Sequence, residues 1–211
     1  MARRASSLAA MVAIGLISVG VMIALFVEPG LLADRSDNRS VDGGDGAAFS
    51  FAVPDGEPTP VDPVRIMVSA SSHLPAASGI DYEPTNTIDG DPSTAWNSDA
   101  PETDGRGETL VFRFAEPVDL KAVRFVNGYA KSPEIFDANH RLRDIVVRTD
   151  EETRSLTLLD TADPQEIGFD FGLTSKVVLE VVDVYTGTGF ASAGLTADLA
   201  VSEVGFLAVQ R

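Results

Sequence analysis

The feature that most restricts this chain is a two-residue hydrophobic period. In Thr109-Leu-Val-Phe-Arg-Phe-Ala115 the alternation puts Leu110, Phe112 and Phe114 on one face and Arg113 on the other. The same period returns at Ile145 with Val147, at Leu156 with Leu158, and at Val177, Leu179 and Val181. Val64–Ala70, Leu120–Val126 and Leu199–Ala208 read as further strands. Turn residues separate them: Asp89-Gly90, Glu116-Pro-Val-Asp119, Asp150-Glu-Glu152 and Asp163-Pro164. No long amphipathic helix is visible. Seven or eight short strands joined by loops predict an all-β antiparallel sandwich or barrel over residues 64–211.

Charge and composition narrow the chemistry. The 211 residues hold 16 Lys+Arg against 32 Asp+Glu, a net charge of −16, and no cysteine. Disulfides, thiol catalysis and thiolate metal centres are excluded. Two histidines, His73 and His140, supply little for a transition metal. A chain this acidic is repelled by phosphate, which argues against nucleic acid and anionic lipid. Calcium, neutral glycans and protein partners stay open. Enzymatic motifs are weak, because Ser71-Ser72-His73 lacks a nucleophile elbow and Asp150-Glu151-Glu152 reads as a solvated turn.

Arg3 and Arg4 precede an uncharged run from Leu8 to Val27, which closes at Glu28-Pro29-Gly30. At ~1.5 Å per residue this run is roughly 30 Å long, enough to cross a bilayer. Its length and the poor cleavage site near Ala33 predict an uncleaved transmembrane anchor over 8–27. The arginines at 1–7 predict a cytoplasmic N-terminus and an extracytoplasmic remainder, that is, a single-pass cell membrane protein. Residues 28–63, rich in Asp, Gly, Ser and Pro, predict a disordered acidic linker, with Phe49–Val53 as an alternative early strand.

Two stretches carry more than periodicity. Tyr82-Glu-Pro-Thr-Asn-Thr-Ile-Asp-Gly-Asp-Pro-Ser-Thr-Ala-Trp96 is a turn with two carboxylates, Asp89 and Asp91, and a hydroxyl at Thr94. Such oxygens suit a hard cation, and equally an Asx turn whose carboxylates cap local amides. Near the C-terminus stands Leu199-Ala-Val-Ser-Glu-Val-Gly-Phe206. Together these stretches resemble the discoidin, or coagulation-factor type C, domain, which implies a galactose-binding-like jelly-roll β-sandwich over roughly 64–208. Phe125-Val-Asn-Gly-Tyr-Ala-Lys131, continuing through Phe136, Asn139, Arg141 and Arg143, resembles the bacterial subgroup that includes the translocation domain of secreted NAD glycohydrolases. The residues carrying the likeness contain no glycohydrolase part, so NAD cleavage is not implied and no enzyme is expected.

The resemblance implies a structural Ca2+ held by the carbonyls of Asn86, Asp91 and Ser202, the carboxylates of Asp89 and Glu203, and Thr94 through carbonyl and hydroxyl. It also implies ligand contact by loops at one end of the sandwich. Asn127, Tyr129, Lys131, Asn139 and Arg141, joined by Tyr185, offer hydroxyl, amide and aromatic groups suited to a sugar. The alternative for these residues is structural, fixing a long connection against the core. The expected function is non-catalytic carbohydrate recognition at the cell envelope. An envelope protein-interaction or scaffold module is the second reading.

Overall fold

The computed structural model describes residues 56–189 and 197–209. The anchor at 8–27 and most of the linker lie outside the described residues. Among those described, the elements in chain order are strands β1 (Thr59–Pro60), β2 (Ile66–Ala70), β3 (Trp96–Asn97) and β4 (Thr109–Asn127), a short helix α1 (Pro133–Ala138), and strands β5 (Arg141–Arg148), β6 (Thr153–Thr157), β7 (Gln165–Tyr185) and β8 (Ala200–Val209). All strand pairings are antiparallel. The predicted all-β sandwich is present.

Two strands serve both layers. The first part of β4, Thr109–Arg113, pairs with β2 on one side and with Lys176–Glu180 of β7 on the other. Its second part, Val118–Asn127, pairs with Gln165–Thr174 of β7 and with β8. Between them the register shifts from Arg113 to Val118, across Pro117, which has no N–H to continue a ladder. The turn expected at Glu116–Asp119 is therefore a bend within one strand. One layer runs β2-β4-β7-β5-β6 and the other β1-β8-β4-β7, with β3 on β8. Phe206 of the second layer packs edge-on against Phe112 and Phe114 of the first, at 5.0 and 5.2 Å between centroids. Trp96, Phe125 and Phe171 complete the fully buried aromatic core. Trp96 is thus core.

Pairing begins earlier than Val64. Thr59 and Pro60 lie opposite Ala208 and Leu207, and the Val61 N–H donates to the Phe206 carbonyl at 2.8 Å. A proline is tolerated there because β1 is an edge strand.

Candidate functional site

The Asp89 turn and β8 meet. Asp89 follows a 3-10 turn, Pro84–Ile88, and Gly90 takes φ +79, which turns the backbone back under the carboxylate. Asp89 Oδ1 accepts from the Asp91 N–H at 2.8 Å and Oδ2 from the Thr94 hydroxyl at 2.8 Å. Asp91 Oδ1 accepts from the Ser93 N–H at 2.9 Å, and the Ser93 hydroxyl and then this N–H hold that carboxyl below its usual range. On β8 the register steps from Val126↔Glu203 to Asn127↔Val201, so Ser202 is the extra residue of a bulge. Its hydroxyl donates to the Pro92 carbonyl at 3.1 Å and accepts from the Ala130 N–H at 3.0 Å, pinning the turn to the strand.

Glu203 faces Asp89. Burial, and then the Asp89 carboxyl, push its carboxyl up to about 7 against the opposing Gly90 and Asp91 amides. Glu203 Oε1 is buried with no hydrogen-bond partner. Two facing carboxyl groups with an orphaned oxygen are costly by themselves and are relieved by a cation between them. Among the described residues no three His, Asp or Glu side chains converge, so carbonyl and hydroxyl oxygens must complete any coordination. The Asn86 side chain is held by Nδ2 bonds to Asp81 and to the Ala95 carbonyl, which fixes the residue whose main-chain carbonyl the resemblance assigns to the ion. The donor set is all oxygen and fits Ca2+.

The six candidate ligand residues separate into two groups. Asn127 is fully buried: Nδ2 donates to the Leu142 carbonyl at 2.8 Å, and Oδ1 accepts from the Gly128 and Leu142 N–H groups at 2.9 Å. Buried Asn139 caps α1, with Nδ2 on the Ile135 carbonyl at 2.8 Å. Arg141 grips Asp160 with two 2.8 Å bonds, donates to the Asn139 carbonyl, and stacks 5.0 Å from the Phe136 ring centroid. The Tyr185 hydroxyl donates to the Leu158 carbonyl at 2.9 Å. These four side chains lash the connections at one end of the sandwich together, which is the structural alternative weighed for them.

Gly128 sits under this knot at φ +66, where a Cβ would meet Arg141 Cγ at 2.6 Å and the Phe136 ring at 2.8 Å. Gly128→Ala should therefore cost at least about 2 kcal/mol in chemical denaturation, from overpacking plus a left-handed backbone. His140 belongs to the same end. Its Nδ1 accepts from the Gly187 N–H at 3.0 Å, and burial depresses its pKa.

Tyr129 and Lys131 are different. Tyr129 packs with Ala95, Ala200, Tyr82 and Ile135, and burial followed by the neighbouring Tyr82, Asp81 and Asp91 raises its pKa. Lys131 is exposed, and its charge helps lower the Asp91 carboxyl. Tyr82, Tyr129, Asp81, Asp91 and Lys131 thus form one polar, aromatic cluster beside the Asp89 turn. Sequence reading missed Tyr82 and Asp81. Their place before Pro84, inside the same motif, was the available signal. Ser71 and Ser72 both hydrogen-bond Glu108, while the nearest acid to His73 is Glu83, so no hydroxyl–imidazole pair forms.

The family model of the NAD glycohydrolase translocation F5/8 type C domain matches residues 62–207. The chain belongs to that family. Solved structures share the fold of this type C domain. The module CBM32-5 of CpGH89 from Clostridium perfringens, in complex with GalNAc-β-1,3-galactose, is 12% identical with a TM-score of 0.54, over 70% of this chain and 99% of that one. An F5/8 type C domain from Bacteroides fragilis is 20% identical with a TM-score of 0.52, over 73% and 98%. CBM32-3 of a family 31 glycoside hydrolase from Clostridium perfringens is 15% identical with a TM-score of 0.53, over 71% and 94%. No curated protein matches the chain.

Proposed function

We propose that this type C domain is a non-catalytic carbohydrate-binding module, displayed outside the cell on a membrane anchor at residues 8–27 and braced by one Ca2+ at Asp89 and Glu203. One observation carries the reading. The module CBM32-5, in complex with GalNAc-β-1,3-galactose, is matched over 99% of its length, and that shared fold supports a carbohydrate-binding role. The Tyr82, Tyr129, Asp81 and Lys131 cluster supplies the ring edge, hydroxyls and charged donors that a sugar needs. No Lys or Arg occurs between Arg65 and Arg106, while seven acids do, so the preferred ligand is neutral or amino-bearing rather than a uronate.

The ion's part is to hold the turn that carries Asp81 and Asp91 against β8. The chain's residues do the rest: half-buried Tyr82 presents its hydroxyl with buried Tyr129 packed behind it, and Lys131 donates from the rim. A glycan array with the soluble 56–211 fragment tests this. A galactose- or hexosamine-bearing hit should weaken at least tenfold in Lys131→Ala and Tyr82→Ala at unchanged melting temperature. A blank array from a folded protein would refute it. The burial of Asn127, Asn139 and Arg141 favours the second reading, an envelope scaffold, which would give that blank array together with a crosslinked protein partner.

A further inference from the structure

A second place in the domain has the chemistry of a cation site and shares no residue with the Asp89 turn. In the β3–β8 pairing Trp96 lies opposite Val201 and Asn97 opposite Ala200. The Ser98 N–H continues the ladder onto the Leu199 carbonyl at 2.9 Å, so the next step brings Asp99 across from Asp198. Alternation puts fully buried Trp96 and Ser98 on the core side, with Asn97 and Asp99 on the side shared by Asp198.

The Asn97 amide can be oriented only one way. Asn139 Nδ2 donates to the Ile135 carbonyl at 2.8 Å, which turns Asn139 Oδ1 toward Asn97, and Asn97 Nδ2 donates to it at 3.3 Å. Asn97 Oδ1 then points away from that pair. The residue is 3% exposed, and this oxygen has no hydrogen-bond partner. An orphaned acceptor so deeply buried is unfavourable unless something donates to it or coordinates it.

The two carboxylates have the same deficit. Asp99 uses its N–H on Ser72 Oγ, but among the described residues neither the Asp99 nor the Asp198 carboxylate has an ion-pair or hydrogen-bond partner. Burial, and then Asp99, raises the Asp198 pKa. Neutralisation from nearby sequence is unavailable: no Lys or Arg lies between Lys176 and Arg211, and residues 190–196 read Phe-Ala-Ser-Ala-Gly-Leu-Thr.

We propose that Asn97 Oδ1 and the carboxylates of Asp99 and Asp198 bind a second Ca2+, with water completing the shell. One amide oxygen and two carboxylates, with no nitrogen or sulfur donor, form a hard-cation set. The ion would close the strap between β3 and the start of β8.

Calorimetric titration of calcium into the full chain, stripped with chelator and held in neutral detergent, tests the assignment. Wild type should take up two equivalents. Asp198→Asn should take up one and so should Glu203→Gln, while the double variant takes up none. Asp99→Asn, at an exposed position, gives a second measure should Asp198→Asn unfold, and should likewise lower the count to one. A wild-type uptake of one equivalent, lost in Glu203→Gln and kept in Asp198→Asn and Asp99→Asn, overturns the second site and leaves the first standing. Uptake of one equivalent, lost in Asp198→Asn and kept in Glu203→Gln, overturns the Asp89–Glu203 site instead.

Discussion

Asn127→Ala should destabilise the domain by about 3–4 kcal/mol in urea, with an unchanged slope. The substitution strips partners from the Leu142 N–H and carbonyl and from the Gly128 N–H, in a site with no exposure to water. Each stranded group costs on the order of 1 kcal/mol or more. Against a total of roughly 5–15 kcal/mol, that is a large share of the fold's stability. Arg141→Met should lose about 1–2 kcal/mol, because it breaks a bidentate pair between a buried guanidinium and the partly exposed Asp160 and strips a donor from the Asn139 carbonyl. Were these residues ligand contacts in an open cleft, the same substitutions would abolish binding and leave the urea midpoint where it was.

The second large effect concerns calcium. At a concentration a hundredfold above its dissociation constant, an ion that binds only the folded state adds about 2.7 kcal/mol. For a domain of this size that is roughly 5–10 °C in melting temperature. EDTA should lower the transition by at least that amount and added calcium restore it, while Asp89→Asn should lose the share of the calcium shift that the ion at Asp89 and Glu203 supplies. The pH dependence has a definite sign. In the stripped protein Glu203 sits at about 7 when folded, against its usual 4.5. Between those values the folded state holds the extra proton, so the Glu203 contribution to stability is fully present below about 4.5 and is lost as pH rises through 7. Saturating calcium should remove that decline, since the ion replaces the proton. A stripped protein that gained stability from pH 5 to 8 would contradict the facing-carboxyl geometry.

Much of this architecture could be read from residues alone, and the reasons are physical. Alternation at Leu110–Phe114 and Val177–Val181 reports which face is buried, so the strands were visible. Continuity was not: Leu110–Phe114 and Leu120–Val126 are one strand bent at Pro117, and a bulge leaves the same turn-like residues as a loop does. The meeting of the Asp89 turn with Glu203 followed from family resemblance, because no local pattern links positions that far apart. The polar motif at 127–143 stays ambiguous in sequence for a different reason. Asn, Tyr and Arg serve equally well as sugar donors and as internal ties, and only burial separates the uses. Asn127 and Arg141 proved to be ties, while Lys131, a few residues away, stays at the surface.

The entry strand has a mechanical consequence. β1 joins β8 at Ala208 and Leu207, five positions from Glu203, and a strand advances ~3.3 Å per residue, so the chain enters roughly 17 Å from the carboxyl pair. Any pull transmitted from the N-terminal side is borne first by two residues at the margin of the sheet. The Asp89 turn, tied to Ser202 through the Pro92 carbonyl, lies toward the opposite end of β8 and outside that load path.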